Sequence, residues 1–290
     1  MTSPVLRLAS FAARVLPTPA RRALYSLGPV TTLTRRLLNQ AAPAGPTEVT
    51  VAAGDLAGAR LILDLKTEKD YWLGTYEPDL QAALRFVCHE GMTVYDVGAN
   101  IGYVALLAAR AVGPGGLVLA FEPLPANLKR LEAHLALNGV ETRITVVPLA
   151  VADGAGRKRF LIHPSGAMGK VEGASGRSDA YCCEIEVEAI DLDTFTFERD
   201  NPPPNVVKMD IEGGEVLALP GMRRVLAEIR PTLLIELHGP QAAQVAWDAL
   251  TQAGYTLHQM RHGFPLIGQV KDLAWKAYVV GLPPTGRGMP

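Results

Sequence analysis

A glycine-containing turn carries the most specific chemical signal in this chain of 290 residues. Residues 94–103 read VYDVGANIGY: a short apolar run passes Asp96 and is followed by Gly98, Asn100 and Gly102, after which an apolar helical pattern begins. Ligands of open parallel sheets lie beyond the carboxyl ends of the strands, where glycine lets the backbone approach a ligand closely. We expect this strand, turn and helix to hold a nucleotide-like cofactor at the helix N-terminus.

Two cofactor classes compete for such a turn. The pyrophosphate of a dinucleotide favours the pattern GxGxxG without an acid beside the phosphates, whereas here the pattern is DxGxNxG. The carboxylate of Asp96 would repel a pyrophosphate and attract the ammonium and sulfonium groups of S-adenosylmethionine. Glu122, 26 residues further on, ends the next predicted strand and can accept hydrogen bonds from the ribose hydroxyls of either cofactor. The turn therefore favours S-adenosylmethionine over a nicotinamide dinucleotide.

An acidic segment follows a later predicted strand. Residues 208–215 read KMDIEGGE, so Asp210 lies at the strand end, and Glu212 and Glu215 lie at the start of the next helix. Transfer of a methyl group to a hydroxyl needs the acceptor oxygen held in line with the methyl group and a group that takes its proton. Asp210 is our first candidate for that base or for a substrate-orienting carboxylate, with Glu212 beside it. Glu215 fits better as a cap of the helix N-terminus, and Lys208 as a member of the catalytic set or as the partner of a carboxylate.

The next predicted strand ends in two more ionisable residues, Glu236 and His238, which alternate onto one face of the strand. With Asp210 and Glu212 they can form either a hydrogen-bonded acid/base cluster or an oxygen-rich site for a divalent metal ion. No ligand spacing within one element supports an ion, so we favour the cluster without a metal.

Hydrophobic periodicity indicates the elements that must position these residues. Apolar runs alternate with helical patterns several times, which indicates an α/β fold with a parallel sheet and helices on both faces. The predicted strands are residues 93–97, 117–122, 144–151, 206–210 and 232–236. One predicted helix begins after Gly102. The other predicted helices cover residues 78–89, 125–138, 214–229 and 241–253. Two antiparallel pairs are also predicted, 157–163 with 184–189 around a Gly- and Ser-rich loop at 165–178, and 255–260 with 276–282 at the sheet edge.

The first 47 residues differ in charge from the rest of the chain. They contain six arginines and no acid, whereas the whole chain has 28 Lys and Arg against 29 Asp and Glu, a net charge of −1. Their apolar residues recur at helical spacing at Val5, Leu8, Ala9, Ala12 and Leu16. We expect a helical arm that packs on its own domain, with contact to an anionic membrane surface or organelle targeting as the alternatives.

The chain divides by pattern into three parts. Residues 1–47 form the basic arm, alternation around two glycines in residues 48–69 predicts a β-hairpin, and residues 70–290 form the predicted catalytic domain. Two histidines outside the acidic cluster, His89 and His134, are interpreted as surface or capping residues.

Composition excludes several classes of protein. The near balance of charge excludes a globally basic nucleic-acid clamp, so we expect no nucleic-acid partner. Three cysteines without CxxC spacing indicate neither a disulfide framework nor a zinc site. Arginines and turn residues interrupt every apolar run long enough for a membrane span or a secretory signal, so we expect a cytoplasmic protein.

Three motifs in order, DVGANIG, FEP and KMDIEGGE, give the chain a family resemblance. With the sequence around them, from about residue 70 to residue 282, the chain resembles the FkbM family of S-adenosylmethionine-dependent methyltransferases. The resemblance implies a seven-stranded Rossmann-like methyltransferase sheet. It also implies O-methylation of a hydroxyl on a small molecule, such as a polyketide, a sugar or a glycolipid.

The resemblance also implies roles for individual residues. Asp96, Gly98, Asn100 and Gly102 correspond to the loop under the methionine and ribose, and Glu122 to the acid that binds the ribose. Weaker correspondences place four more residues at the cofactor: Asn127 beside the adenosine, Asp153 near the adenine amino group, and Tyr76 and Glu77 on an approaching segment.

The sequence therefore predicts a methyltransferase that uses S-adenosylmethionine and acts on a small hydroxylated acceptor. Two other hypotheses stay open at this point. One is an NAD(P)-dependent oxidoreductase, which Asp96 and the missing third glycine disfavour. The other is a membrane-associated assembly factor that keeps the cofactor fold and makes its contacts through the basic arm.

Overall fold

The computed structural model describes residues 3–15, 36–166, 168–177 and 181–284. The chain forms two compact units. One comprises Met1–Pro78 with Ala133–Gly139, and the other comprises Asp79–Glu132 with Val140–Pro290. Among the described residues, no helix has the length and hydropathy to cross a membrane.

The described part of the first unit includes two helices with named bounds, a hairpin and a helical stretch at residues 36–41. Its elements are α1 (Pro4–Val15), β1 (Thr47–Thr50), β2 (Arg60–Leu63) and α2 (Lys69–Leu73). Strands β1 and β2 pair antiparallel from Thr47 opposite Leu63 to Thr50 opposite Arg60, which confirms the predicted hairpin.

The second unit carries the remaining helices and strands. They are, in chain order, α3 (Pro78–Val87), β3 (Thr93–Val97), α4 (Tyr103–Ala111), β4 (Leu117–Phe121), α5 (Pro125–Asn138), β5 (Ile144–Val147), β6 (Ala150–Val151), β7 (Gly156–Ile162), β8 (Gly169–Val171), β9 (Cys183–Ile190), β10 (Val206–Met209), α6 (Glu215–Ala218), β11 (Thr232–His238), α7 (Pro240–Gln252), β12 (Thr256–Gln259) and β13 (Lys276–Leu282). The last residues of α5 belong to the first unit. Helical turns at Leu219–Met222 and Val225–Ile229 continue α6, as the predicted helix at 214–229 required.

The main sheet has seven strands in the order β12-β13-β11-β10-β3-β4-β5. Strands β11, β10, β3, β4 and β5 are parallel, whereas β13 runs antiparallel to both β11 and β12. The predicted Rossmann-like sheet and its antiparallel edge pair are confirmed. The chain winds from β3 towards β5 on one side and from β10 towards β11 on the other, so the switch point lies between β3 and β10, where such sheets bind ligands.

The parallel strands are mostly apolar and buried because both faces of the sheet are covered. All four residues of β10 are buried, as are the last four of β3. An aromatic group packs on one face, where the ring centroids of Tyr95, Phe121 and Phe195 lie 4.9–5.7 Å apart. The Tyr95 hydroxyl donates to the carbonyl of Pro202 at 2.7 Å, which ties the segment before β10 to β3.

A second, four-stranded sheet has the order β6-β9-β7-β8. Its antiparallel β7–β9 pair was predicted, but two expectations were wrong. The strand expected over 144–151 is two strands in different sheets, since Pro148 between them has no N–H for a sheet ladder. The loop expected over 165–178 contains β8, and Gly169 allows that strand to pass close to Phe160. Ala167 and residue 178 lie outside the described residues.

The buried side of α1 differs from the predicted one. Leu6 and Ala13 are buried, whereas Val5 and Leu8, which were expected to pack on the domain, are exposed. Leu16 lies outside the described residues.

His134 is also placed differently from the prediction. It is fully buried rather than at the surface, and its Nε2 accepts the backbone N–H of Ile62 in β2 at 2.8 Å. One turn later, the side-chain amide of Asn138 exchanges hydrogen bonds with the backbone of Arg60 at 2.8 and 2.9 Å. Side chains at the end of α5 therefore form hydrogen bonds with backbone groups on the outer edge of β2. Without them, these backbone groups would be unpaired.

We expect His134→Ala to lower the free energy of unfolding by about 1–3 kcal/mol, because a buried N–H loses its acceptor. Urea denaturation measures this change. His89→Ala is the matched control because His89 is exposed, and it should leave the unfolding midpoint close to that of the wild type. Equal destabilisation by the two substitutions would contradict the role of His134.

Candidate functional site

The glycine turn after β3 lies tightly against the end of β10. Gly98 has φ of +80°, and a Cβ on it would lie 2.0 Å from the carbonyl oxygen of Asp210. Gly102 has φ of +86°, and a Cβ there would lie 2.3 Å from Leu131 Cδ1 in α5. Side chains at either position would push the turn away from its neighbours, so the DxGxNxG spacing follows from packing at the switch point.

A buried ion pair connects the turn to β10. Asp96 in β3 is fully buried, and its Oδ1 lies 3.2 Å from Nζ of Lys208, which is 6% exposed at its side chain. Lys208 Nζ also donates to the carbonyl of Gly98 at 3.0 Å. Neither Asp96 oxygen has a partner with hydrogen-bond geometry among the described residues, so charge holds this pair. The lysine thereby fixes the first glycine of the turn.

The surroundings of Asp96 change its expected role. The carboxylate is enclosed and paired with Lys208, so its charge is offset within the fold. The same lysine holds Gly98, and direct contact between Asp96 and a cofactor stays a prediction. The preference for S-adenosylmethionine over a dinucleotide therefore cannot rest on repulsion by this acid.

Glu122 follows β4 and is held in place by three donors. Its Oε2 accepts the N–H of Asn100 and its Oε1 the N–H of Leu124, each at 2.9 Å, and the side chain of Asn127 donates to the same carboxylate. Burial raises the pKa of Glu122, while these hydrogen bonds oppose the shift. A carboxylate has about four acceptor positions, so one remains for a ligand hydroxyl. Asn100, with φ of 51°, is thus fixed by the acid predicted to bind ribose.

A cluster of ionisable side chains lies at the ends of β10 and β11. His238 is buried at its centre, and its Nε2 lies 2.9 Å from Glu236 Oε1, 3.7 Å from Glu212 Oε2 and 3.9 Å from Asp210 Oδ1. On the other side of the ring, Nδ1 lies 3.5 Å from Glu215 Oε1. The structure brings together the four residues that were assigned to one cluster from the sequence. Lys208 pairs with Asp96 instead.

Glu215 holds the backbone before α6. Its Oε1 accepts the N–H groups of Ile211 and Gly213 at 3.2 and 3.4 Å, which lie in the turn before the helix. Capping of the helix N–H groups themselves by Glu215 stays a prediction. Glu215 is fully buried, so its contact with His238 lies beneath the surface of the cluster.

The cluster stabilises a charged histidine. Burial alone lowers the pKa of His238, but the nearby carboxylates of Glu215, Glu236 and Asp210 outweigh it and raise the pKa to about 10. For Glu236, burial raises the pKa, and the stronger combined effect of His238 and Lys276 lowers it. Lys276 on β13, which sequence reasoning missed, forms an ion pair with Glu236. Two cations thus offset part of the charge of the four acids at this edge.

The same side chains could coordinate a metal ion. Asp210, Glu236 and His238 offer ligand atoms that lie within 4.8 Å of one another. A metal ligand requires neutral imidazole, whereas the carboxylates favour its protonated form. The cluster without a metal therefore stays our prediction.

A loop from the second sheet covers this cluster. The Ser175 hydroxyl donates to the carbonyls of Gly213 and His238, both at 3.2 Å. Buried Lys170 holds the loop from the other side by donating to the carbonyls of Ser175 and Arg177 at 2.7 Å. No sequence signal could have found the Ser175 contacts, because they link a side chain to backbone far away in the chain.

Two exposed side chains border the cluster. The guanidinium of Arg177 lies 5.9 Å from the ring centroid of Trp275, and Trp275 is 45% exposed. The carbonyl of Trp275 accepts the N–H of Gly239, directly after β11, at 2.6 Å. An aromatic face and a cation are thus available next to the acids.

Three predicted cofactor residues lie in other surroundings. Asp153 is exposed and pairs with Lys158 at 2.5 Å, and this hydrogen bond lowers its pKa. Tyr76 and Glu77 belong to the first unit, where the rings of Tyr76 and Tyr71 lie 4.3 Å apart. Cofactor contact by these three residues stays a prediction.

The protonated His238 gives a pH-dependent stability. Its folded pKa of about 10 exceeds its ordinary value of 6.5, so its stabilisation is complete below pH 6.5 and is lost as the pH rises through about 10. We expect His238→Asn to cost about 3–5 kcal/mol near neutral pH, where buried acids lose their partner. This deficit should shrink towards pH 10 in denaturant titrations of both proteins. A deficit independent of pH would contradict a charged His238.

Gly98→Ala should weaken binding of S-adenosylhomocysteine, measured by calorimetry, by about tenfold or more, because a shift of the turn by even 1 Å disrupts a bound geometry. Gly91→Ala is the matched control. Gly91 has φ of +82° but no atom within 4 Å of the added Cβ, so the control carries backbone strain without a clash. It should lose about 1–2 kcal/mol of stability and keep its affinity. Equal affinities of both variants would show that contact with Asp210 is unimportant.

Comparison with known proteins identifies the family. Residues 96–257, more than half of the chain, match the family model described as the methyltransferase FkbM domain. The chain is 29% identical to the hexuronic acid methyltransferase AglP of Haloferax volcanii, over 56% of this chain and 62% of that protein. It is 28% identical to the 31-O-demethyl-FK506 methyltransferase FkbM of Streptomyces tacrolimicus, over 59% of this chain and 80% of that protein.

The chain spans less than two thirds of the length of the first of these relatives. A solved structure, methyltransferase FkbM from Methylobacillus flagellatus, is 18% identical with a TM-score of 0.43, over 89% of this chain and 60% of that one. The family match confirms the resemblance drawn from the three motifs, and it supports S-adenosylmethionine as the cofactor class. The chain belongs to the FkbM family of methyltransferases.

Proposed function

We propose that this protein transfers a methyl group from S-adenosylmethionine to a hydroxyl of a small molecule. The observation that carries the proposal is the arrangement at the switch point. The glycine turn and Glu122 lie at the ends of β3 and β4, and the cluster around His238 lies at the ends of β10 and β11. The residues proposed for the cofactor and those proposed for acid/base chemistry are therefore at the same edge of one sheet.

The proposed cofactor site offers a rigid backbone surface and a hydrogen-bond acceptor for a ribose hydroxyl. The N–H groups of Gly98 and Ala99 donate to the carbonyl of Phe121, and that of Asn100 to Glu122. The turn thus has a fixed backbone surface, over which the methionine part of the cofactor would lie. Glu122 would accept a ribose hydroxyl at its remaining position.

The transfer step requires a base that is not His238. The acceptor oxygen attacks the methyl carbon, the carbon–sulfur electrons pass to sulfur, and the hydroxyl proton must go to a nearby group. His238, with a pKa of about 10, already carries its proton at neutral pH and cannot take another. Asp210 and Glu212, whose side chains are 22% and 30% exposed, are the accessible carboxylates. We propose Asp210 as the base because it lies directly at the end of β10. His238 and Glu236 would orient it.

The acceptor is proposed to be a hydroxylated ring compound. The two curated relatives are named for a hexuronic acid and for 31-O-demethyl-FK506. The first name denotes a sugar acid and the second an O-linked methyl group as the product. Trp275 offers a flat apolar face to such a ring, and Arg177 a donor for an acidic substituent. We assign the activity to residues 70–290, with the arm at 1–47 and the hairpin at 48–69 as additions to it.

The first test is calorimetric titration of the wild-type protein with S-adenosylhomocysteine. We expect a single site on each chain and no binding of NADH under the same conditions, monitored by its fluorescence. Tight binding of NADH without binding of S-adenosylhomocysteine would overturn the methyltransferase proposal in favour of an oxidoreductase.

Replacement of the base is the second test. Asp210→Asn should lower turnover by about 10²- to 10⁴-fold and leave the affinity for S-adenosylhomocysteine nearly unchanged, in an assay of labelled methyl transfer to uronic acids and macrolide alcohols. Asp248→Asn, at an exposed carboxylate on α7, is the control and should retain activity. The wild-type rate should persist in the presence of a chelator. Full activity of Asp210→Asn would remove Asp210 from the catalytic role.

A further inference from the structure

Helix α1 presents an apolar face to solvent. Leu8, Phe11 and Val15 are 69%, 62% and 61% exposed, and Val5 continues the row. Spacings of three and four residues place these side chains on one side of the helix. Such a continuous apolar surface is unfavourable in water and marks a contact with a partner.

The opposite side of α1 attaches the helix to its own unit. Leu6 and Ala13, seven residues apart, are buried, and α1 packs against α2. The helix is therefore already anchored by one face. Its exposed apolar face is the outward side of a packed helix.

The charge of the arm indicates the chemistry of the partner. Arg7 and Arg14 are exposed, and each lies about 100° around the helix from the apolar residue that follows it. The first 47 residues contain no acid. A cationic border beside a row of large apolar side chains is complementary to a layer of anionic headgroups above hydrocarbon.

We propose that α1 lies in the surface of an anionic phospholipid membrane. Leu8, Phe11 and Val15 insert at the boundary of headgroups and acyl chains, and Arg7 and Arg14 bind lipid phosphates. This contact is separate from the proposed methyl transfer, since it uses none of the residues at the switch point.

Flotation of the full chain with vesicles tests the proposal. The protein should float with vesicles of phosphatidylglycerol and phosphatidylcholine, and much less with phosphatidylcholine alone. Leu8→Asp combined with Phe11→Asp should lower the partition coefficient by about tenfold or more, because two large apolar side chains no longer insert. Arg7→Gln combined with Arg14→Gln should remove much of the preference for anionic lipid and its sensitivity to salt.

Leu266→Asp is the matched control, since Leu266 is 65% exposed and lies in the other unit. It should float like the wild type. Circular dichroism and the thermal midpoint of each variant show that the fold is retained. The proposal would be overturned if the wild-type protein did not float with anionic vesicles, or if the Leu8 and Phe11 variant bound them as well as the wild type does. Sedimentation velocity identifies the other outcome, a dimer that the same two substitutions dissociate, which would assign the face to a second copy of the chain.

Discussion

The buried ion pair between Asp96 and Lys208 is the constraint on which the candidate site depends. Charges removed from water must be paired, since an isolated buried charge costs several kcal/mol. The pair spans adjacent parallel strands, and the same ammonium group holds the carbonyl of Gly98. Strand pairing, the left-handed glycine and the contact with the Asp210 carbonyl therefore stabilise one another. The turn owes its shape to this pair as much as to its glycines.

The acids at the ends of β10 and β11 are arranged differently, because several of them surround one cation. Several carboxylates converge on His238, and Lys276 joins them from β13. The resulting cations keep Glu236 ionised despite burial, so the proton that His238 holds is part of the structure. Asp210 stays partly open to solvent beside this arrangement. Glu212 is also partly open, so two carboxylates of the cluster are accessible, while Glu215, Glu236 and His238 are buried around them.

Sequence reasoning predicted the sheet and the cluster because both follow from local pattern. Apolar runs indicated the strands, and parallel strand ends must meet at one edge, so Asp210 and His238 could be placed together. The neutralisation of Asp96 could not be predicted because its partner lies 112 positions away in the chain. Lys276 and Ser175 were missed for the same reason. The predicted buried face of α1 was wrong because helical periodicity identifies an apolar face of a helix. It does not show whether that face packs on the protein itself.

A double-mutant cycle on Asp96→Asn and Lys208→Met tests the central claim most directly, with calorimetric affinity for S-adenosylhomocysteine as the readout. Each single substitution should weaken binding by about tenfold or more, because it leaves a buried charge unpaired beside the turn. The double substitution should cost clearly less than the two single effects added together. Wild-type affinity in folded Lys208→Met protein, or additive effects of the two substitutions, would contradict the account.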